Sequence, residues 1–185
     1  MIWLIWLIIV LIPLIIVIMF VYYFNKFNVL ENRIDNSLAQ IDVQLRKRAD
    51  LVPNLVIAVK GYMKHERAMI TKVTEARKAL LAAKDIKGRI KAGNQLQEAL
   101  KSIFALAENY PNLKANENFL QLQQELSTIE DRVAYSRQFY NDSILSYNNS
   151  VETFPGAFFA KLYGRKEKEF LQILEEARAV PKIEF

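Results

Sequence analysis

Apolar and polar positions divide this chain into two regimes. From Ile2 to Phe24 no position is charged and nearly all are apolar, whereas from Val29 onward apolar residues recur at alternating spacings of three and four. The first regime predicts a membrane-spanning helix: at about 1.5 Å per residue it reaches roughly 34 Å, slightly more than a ~30 Å hydrocarbon layer. Trp3 and Trp6 stand near one end and Tyr22 and Tyr23 near the other, where amphipathic rings prefer the headgroup level. Pro13 is tolerable in such a helix. A cleaved signal peptide is the rival reading, but the run is long, no basic segment precedes it and no small-x-small site follows. No Lys or Arg stands before the span, while Lys26, Arg33, Arg46, Lys47 and Arg48 follow it. That asymmetry predicts a single-pass anchor over residues 1–25, with the amino terminus outside and residues 26–185 facing the cytoplasm.

The second regime predicts helices throughout. Leu38, Ile41, Leu45, Val52, Leu55, Val59, Tyr62, Met69, Val73, Ala76 and Leu80 keep a helical phase over a long helix spanning 28–83, interrupted at Arg48 and Glu66. The phase runs through Pro53, which in a helix removes one hydrogen bond and crowds the carbonyl of Ala49. Alternatively, Asp50 caps a new helix with Pro53 in its first turn. Both a kink and a break at 50–53 are compatible with the pattern; the unbroken phase and the absence of a nearby glycine favour the kink. Lys84 to Gly88 form a turn into a helix over 86–109, stopped by Tyr110-Pro111. A helix over 116–151, with Asn116 as its N-cap, places Phe119, Leu122, Leu126, Ile129, Val133, Tyr140 and Tyr147 on one stripe, close to a coiled-coil heptad seam. After the aromatic segment FPGAFFAKLYG, a short helix over 166–180 carries Phe170, Ile173, Leu174 and Ala177. No useful strand alternation appears, so the predicted class is all-α: a transmembrane helix followed by an up-and-down helix bundle.

Composition narrows the functional classes. The chain has 185 residues, a net charge of +5 and no cysteine, which excludes disulfides and thiolate chemistry and leaves room for one domain with a proper core. Glycine and proline are scarce, so disorder and solenoid repeats are not expected.

The stretch IDVQLRKRADLVPNLVIAVKGYMKHE with the following VTEAR resembles the signature of the LemA family of bacterial membrane-anchored helical proteins. ENYPNLKANENF, Arg137, Tyr140-Asn141, Tyr147-Asn148 and Phe154-Pro155 are similar to its later landmarks, and the chain departs from the pattern at Leu38, where members carry an aromatic residue. The resemblance implies a four-helix up-and-down bundle and supplies no catalytic residue.

Candidate chemistry is thin. His65, the single histidine, adjoins Glu66; without a second histidine or a Glu-x-x-His pair it reads as structural rather than as a base or metal ligand. No glycine-rich phosphate loop occurs, so no cofactor, no metal and no enzymatic activity are expected. Three constellations remain. Arg46, Lys47, Arg48, Asp50 and Asn54 put fixed polar groups around Pro53; Arg48, on the apolar phase, calls for a carboxylate partner inside the bundle, with Glu66 a candidate, the alternative being a solvated helix face. Tyr140-Asn141 and Tyr147-Asn148 recur seven residues apart, so the tyrosines share one helix face and the asparagines the next; they could pair with another helix, although tyrosines at this spacing are more often core. Residues 60–91 hold ten basic and three acidic side chains, but with Tyr62 the only aromatic of note there, a solvated surface is the default and nucleic acid is not expected. Finally, Phe154, Phe158 and Phe159 form an aromatic segment that could wedge into a membrane interface. The expected role is a membrane-anchored scaffold or interaction protein whose partners are the lipid bilayer, further copies of itself and an unidentified protein; membrane remodelling or an accessory role to a membrane enzyme is the alternative.

Overall fold

The computed structural model describes residues 2–63 and 66–171. Among them the chain is all-α, with no strand: α1 Ile2–Lys60, α2 Arg67–Ala82, α3 Ile86–Ala107, α4 Pro111–Lys114, α5 Glu117–Glu152 and α6 Gly156–Leu162. The apolar run forms the start of α1, where side chains from Trp6 to Phe24 are mostly exposed, and this part of the helix is a candidate membrane span.

α1 does not stop at Asp50 or Pro53. No glycine precedes Gly61, and the helix ends one residue before it, at Lys60, where Tyr62 N and Met63 N both donate to the Val59 carbonyl, at 3.0 and 2.9 Å. The helix read over 28–83 is therefore divided at 61–66, where the apolar phase also falters at Glu66. α3 starts behind Asp85, whose carboxylate accepts from Gly88 N at 3.1 Å, and Asn116 Oδ1 accepts from Phe119 N at 3.1 Å at the start of α5. The largest departure lies at the end. Residues 166–171 are non-helical rather than the start of a helix over 166–180, the remainder of that range lies outside the described residues, and the helix nearby is α6, inside FPGAFFAKLYG.

Two compact units make up the chain, one comprising residues up to Ser37 together with Arg137 onward, the other Leu38–Ser136. In the second unit Ile41, Leu45, Val52, Leu55 and Val59 of α1 meet Val73 and Leu80 of α2, Leu96 and Ile103 of α3, Leu113 of α4 and Phe119, Leu126 and Val133 of α5 in the core. α2 and α3 are joined by three residues and pack on each other, and Phe104 meets Phe119 edge-on at 5.9 Å. The first unit centres on Phe27, Leu30 and Ile34 of α1, Tyr140, Ile144 and Tyr147 of α5, and Phe159 and Ala160 of α6. Gly156 lets α6 start hard against α5: a Cβ at this position would collide with the Ser150 carbonyl oxygen, a backbone atom of the last turn, and would press on the Tyr23 ring.

Candidate functional site

Among the described residues, Arg48, Arg77, Asn141 and Asn148 use their side chains to hold backbone. In the second unit, Pro53 has no N–H, so the carbonyl of Ala49 loses its partner one turn on. That carbonyl is inside the core, Ala49 being fully buried, and it accepts instead from Arg77 Nε of α2 at 2.8 Å. Pro53 and Arg77 belong to the two parts of the quoted signature, LVPNLV and VTEAR, and one side chain joins them. Arg77 thus belongs to the structure, as does Arg89, which pairs with Asp42 and donates Nε to the Ala83 carbonyl at 3.0 Å. Two of the ten basic side chains of residues 60–91 are accounted for in this way.

Arg48, on the apolar face of α1, is 1% exposed, and its Nη1 makes a long hydrogen bond, 3.4 Å, to the Gly93 carbonyl. Gly93 leaves room for Leu45, whose Cδ2 would lie 2.6 Å from a Cβ there. Glu66 accepts from Tyr110 Oη at 3.4 Å. Arg46, Lys47, Asp50, Pro53 and Asn54 are exposed. Asp50 and Asn54 edge two adjoining grooves between α1 and α5, of about 410 and 420 Å³, that share Leu51 and Glu125. His65 lies outside the described residues. Among those described, no group of three or more His, Cys, Asp or Glu is placed to hold a metal ion.

The first unit carries a second backbone clamp, built from the seven-residue repeat on α5. Asn148 Nδ2 donates to the Lys168 carbonyl at 2.9 Å while Lys168 N donates to Asn148 Oδ1 at 2.9 Å. One step along, Leu171 N donates to Asn141 Oδ1 at 2.9 Å and Asn141 Nδ2 to the Leu171 carbonyl at 3.3 Å. A carboxamide carries one acceptor and one donor group side by side, so it can replace a neighbouring strand in pairing with one residue of extended chain. The spacing fits as well. Seven residues of helix rise about 10.5 Å, and three residues of extended chain about 9–10 Å, so every seventh helix position meets every third extended one. Asn141 and Asn148 therefore read a peptide backbone, not a helix face. Tyr140 Oη adds a long bond to the Glu169 carbonyl, 3.4 Å.

Ionic contacts fix the same segment to α1. Glu31 pairs with Arg165, lies 3.3 Å from Lys168 Nζ and accepts from Tyr147 Oη at 3.4 Å; Arg165 Nη2 also donates to Asn28 Oδ1 at 2.7 Å. Lys168 Nζ sits 5.2 Å over the Tyr147 ring. Burial, reinforced by the Glu31 charge and by the hydrogen bond to it and opposed by Arg165, pushes the Tyr147 phenol above its ordinary value of 10.0. The folded chain thus holds this proton more tightly than the unfolded one. Its contribution to stability is complete below the ordinary value and is lost as pH rises through the raised one. Stability of the first unit should fall as pH rises above about 10 more steeply in the parent than in Tyr147→Phe, as measured by denaturant unfolding; parallel curves would refute this. Arg137, half-buried on α5, is pushed below the usual arginine range by burial.

The sequence reading found Tyr140, Asn141, Tyr147 and Asn148 but missed Asn28, Glu31, Arg165 and Lys168. Their separation exceeds a hundred residues in places, and each looks like an ordinary solvated side chain. Of the aromatic candidates, Phe159 is buried and stacks on Tyr23 at 5.0 Å, whereas Phe154 and Phe158 are exposed.

A family model described as the LemA family matches residues 37–185. Protein LemA of Metamycoplasma hominis is 26% identical over 125 residues, 67% of this chain and 57% of that protein. Magnetosome protein MamQ 2 of Paramagnetospirillum magneticum is 30% identical over 74 residues, 40% of this chain and 27% of that protein, and Magnetosome protein MamQ of Magnetospirillum gryphiswaldense is 29% identical over 72 residues, 39% of this chain and 26% of that protein. The chain thus spans a little over half the length of the first of these relatives and about a quarter of the others.

Proposed function

The chain belongs to the LemA family, and from that membership and the geometry above we propose that it is a membrane-anchored helical scaffold that associates with copies of itself, its helical domain facing the cytoplasm. One observation carries the reading. A single helix, α1, contains both the exposed apolar run and the core positions Ile41 to Val59. The helices of residues 38–136 supply an up-and-down bundle, and its polar groups hold backbone, as Arg77 and Arg89 do, so no catalytic step is assigned to them.

The surface left for a second copy is not that of Tyr140 and Tyr147, which are buried in the first unit and meet α1 and residues 165–171. It is the pair of grooves between α1 and α5 in the second unit, edged by Leu51, the half-buried Leu122 and Ile57, which is 71% exposed. A furrow that sets Leu51, Ile57, Leu122 and Ile129 among charged and polar side chains suits an amphipathic helix from a neighbour, and confinement to a membrane raises the effective concentration of each copy for every other. Full-length protein in detergent should give a mass of at least two chains by native mass spectrometry or light scattering, shifting to monomer on dilution. Ile57→Glu should move the midpoint of that shift to higher concentration. A strictly monomeric mass across a hundredfold dilution from high concentration overturns self-association.

A further inference from the structure

We propose that α6 is a second membrane contact, lying in the lipid interface beside the anchor and, with Phe154 of the turn before it, presenting Phe158 and Leu162 to the acyl boundary. The inference rests on the reading of residues 2–24 as a membrane span. Its first support is the position of α6 along α1. Tyr163 Oη donates to the carbonyl of Phe20 at 2.7 Å, and the Tyr163 ring meets Phe20 and Phe24 edge-on at 5.1 and 5.6 Å. Phe20 and Phe24 form the last turn of the uncharged run, about 6 Å long. The headgroup layer on each side of the hydrocarbon core is about as thick. Whatever is fastened to that turn stands at the level of the headgroups.

The second support is the composition of the free face. Phe158 and Leu162 are four apart and share the side of α6 away from Gly156, Phe159 and Ala160, at 65% and 59% exposed, and Phe154, in the turn just before the helix, is 89% exposed. Two large exposed apolar side chains on a seven-residue helix and a third in the turn before it have no use in water, whereas Lys161 and Lys166, both exposed, suit anionic headgroups beside them. Continuity of this face with the anchor selects the bilayer as its occupant rather than another protein.

The chain has no cysteine, so single-cysteine variants accept one spin label each. Phe158→Cys, Leu162→Cys and, as a reference within the span, Ile9→Cys would be labelled in the full-length chain and reconstituted in nanodiscs of phosphatidylethanolamine and phosphatidylglycerol. Collision with oxygen and with a water-soluble nickel chelate then reports depth. The expected result is a label depth of about 5–10 Å below the headgroup surface at Phe158 and Leu162, the range for a helix lying in the interface. Free access of the nickel chelate to both α6 labels, with Ile9 in lipid, overturns the proposal while leaving the anchor intact. Shielding of both α6 labels from both reagents overturns it in favour of a protein partner or second copy. If the Ile9 label itself reads as aqueous, the anchor fails and the proposal fails with it.

Discussion

Replacing Arg77 by methionine should cost about 2 kcal/mol of stability in the parent and distinctly less once Pro53 has been replaced by alanine. The prediction follows from a single carbonyl. In the parent, Ala49 O has no helical donor because position 53 is proline, and it accepts from Arg77 Nε at 2.8 Å. Hydrogen bonds to charged donors contribute about 1.5–3 kcal/mol, and leaving a buried carbonyl unpaired costs about 1–3 kcal/mol, so Arg77→Met should sit inside that range. With alanine at 53, the helix supplies its own N–H to Ala49 O, and losing Arg77 removes only its packing. Pro53→Ala alone should be neutral or stabilising, since Pro53 is exposed, α1 already passes through it, and proline in a helix interior is about 3 kcal/mol less favourable than alanine. Denaturant unfolding of the two single variants and the double would give the coupling, expected at about 1 kcal/mol or more. Equal costs for Arg77→Met in both backgrounds would show that the guanidinium does not replace the missing N–H, and a loss above about 2 kcal/mol for Pro53→Ala would show that the proline specifies the local backbone.

Legibility from sequence followed the kind of interaction involved. The helices were readable because apolar burial imposes a period, and Arg48 stood out because it occupies a position of that period, Leu45 and Val52 flanking it on the buried face. The break at 61–66 was less so, as Glu66 could be seen interrupting the phase but Pro53 competed with it as the stopping point. Side-chain bonds to backbone have no period at all. Arg77 on Ala49 O could have been sought only by asking which donor meets the carbonyl that a helical proline strands. The same limit explains the end of the chain. Lys166-Glu167-Lys168-Glu169-Phe170 has the composition of a helix start, and Phe170 continues in helical phase to Ile173. For residues 166–171 that local preference is overridden by four hydrogen bonds from two carboxamides on α5. The aromatic segment before it reads as a connection because of its proline and glycine, yet Gly156 is what allows α6 to begin so close to α5.

The double substitution Asn141→Leu with Asn148→Leu should release residues 165–171 from α5 and lower the stability of the first unit by about 2–4 kcal/mol, four bonds at about 1 kcal/mol each less what water recovers. Leucine keeps the branching at Cγ but offers neither donor nor acceptor, so the N–H and C=O of Lys168 and Leu171 lose their partners on α5. Asn148 is the stronger site, being 7% exposed with both bonds at 2.9 Å, so Asn148→Leu should exceed Asn141→Leu in effect. Asn148→Asp separates the two bonds of one carboxamide: it keeps the acceptor for Lys168 N and loses the donor to the Lys168 carbonyl, so an intermediate loss is expected. Hydrogen exchange reads the result directly, since the amides of Lys168 and Leu171 point at side-chain oxygens and should be protected in the parent and open in the double variant. The pairing of Glu31 with Arg165 and Lys168 gives the control. Removing it with Glu31→Gln should weaken the attachment without opening both amides, because the contacts are partly exposed and ion pairs of that kind contribute about 1 kcal/mol or less. If Glu31→Gln opened the segment while the double asparagine variant left it closed, charge rather than carboxamide pairing would be what holds residues 165–171 in place.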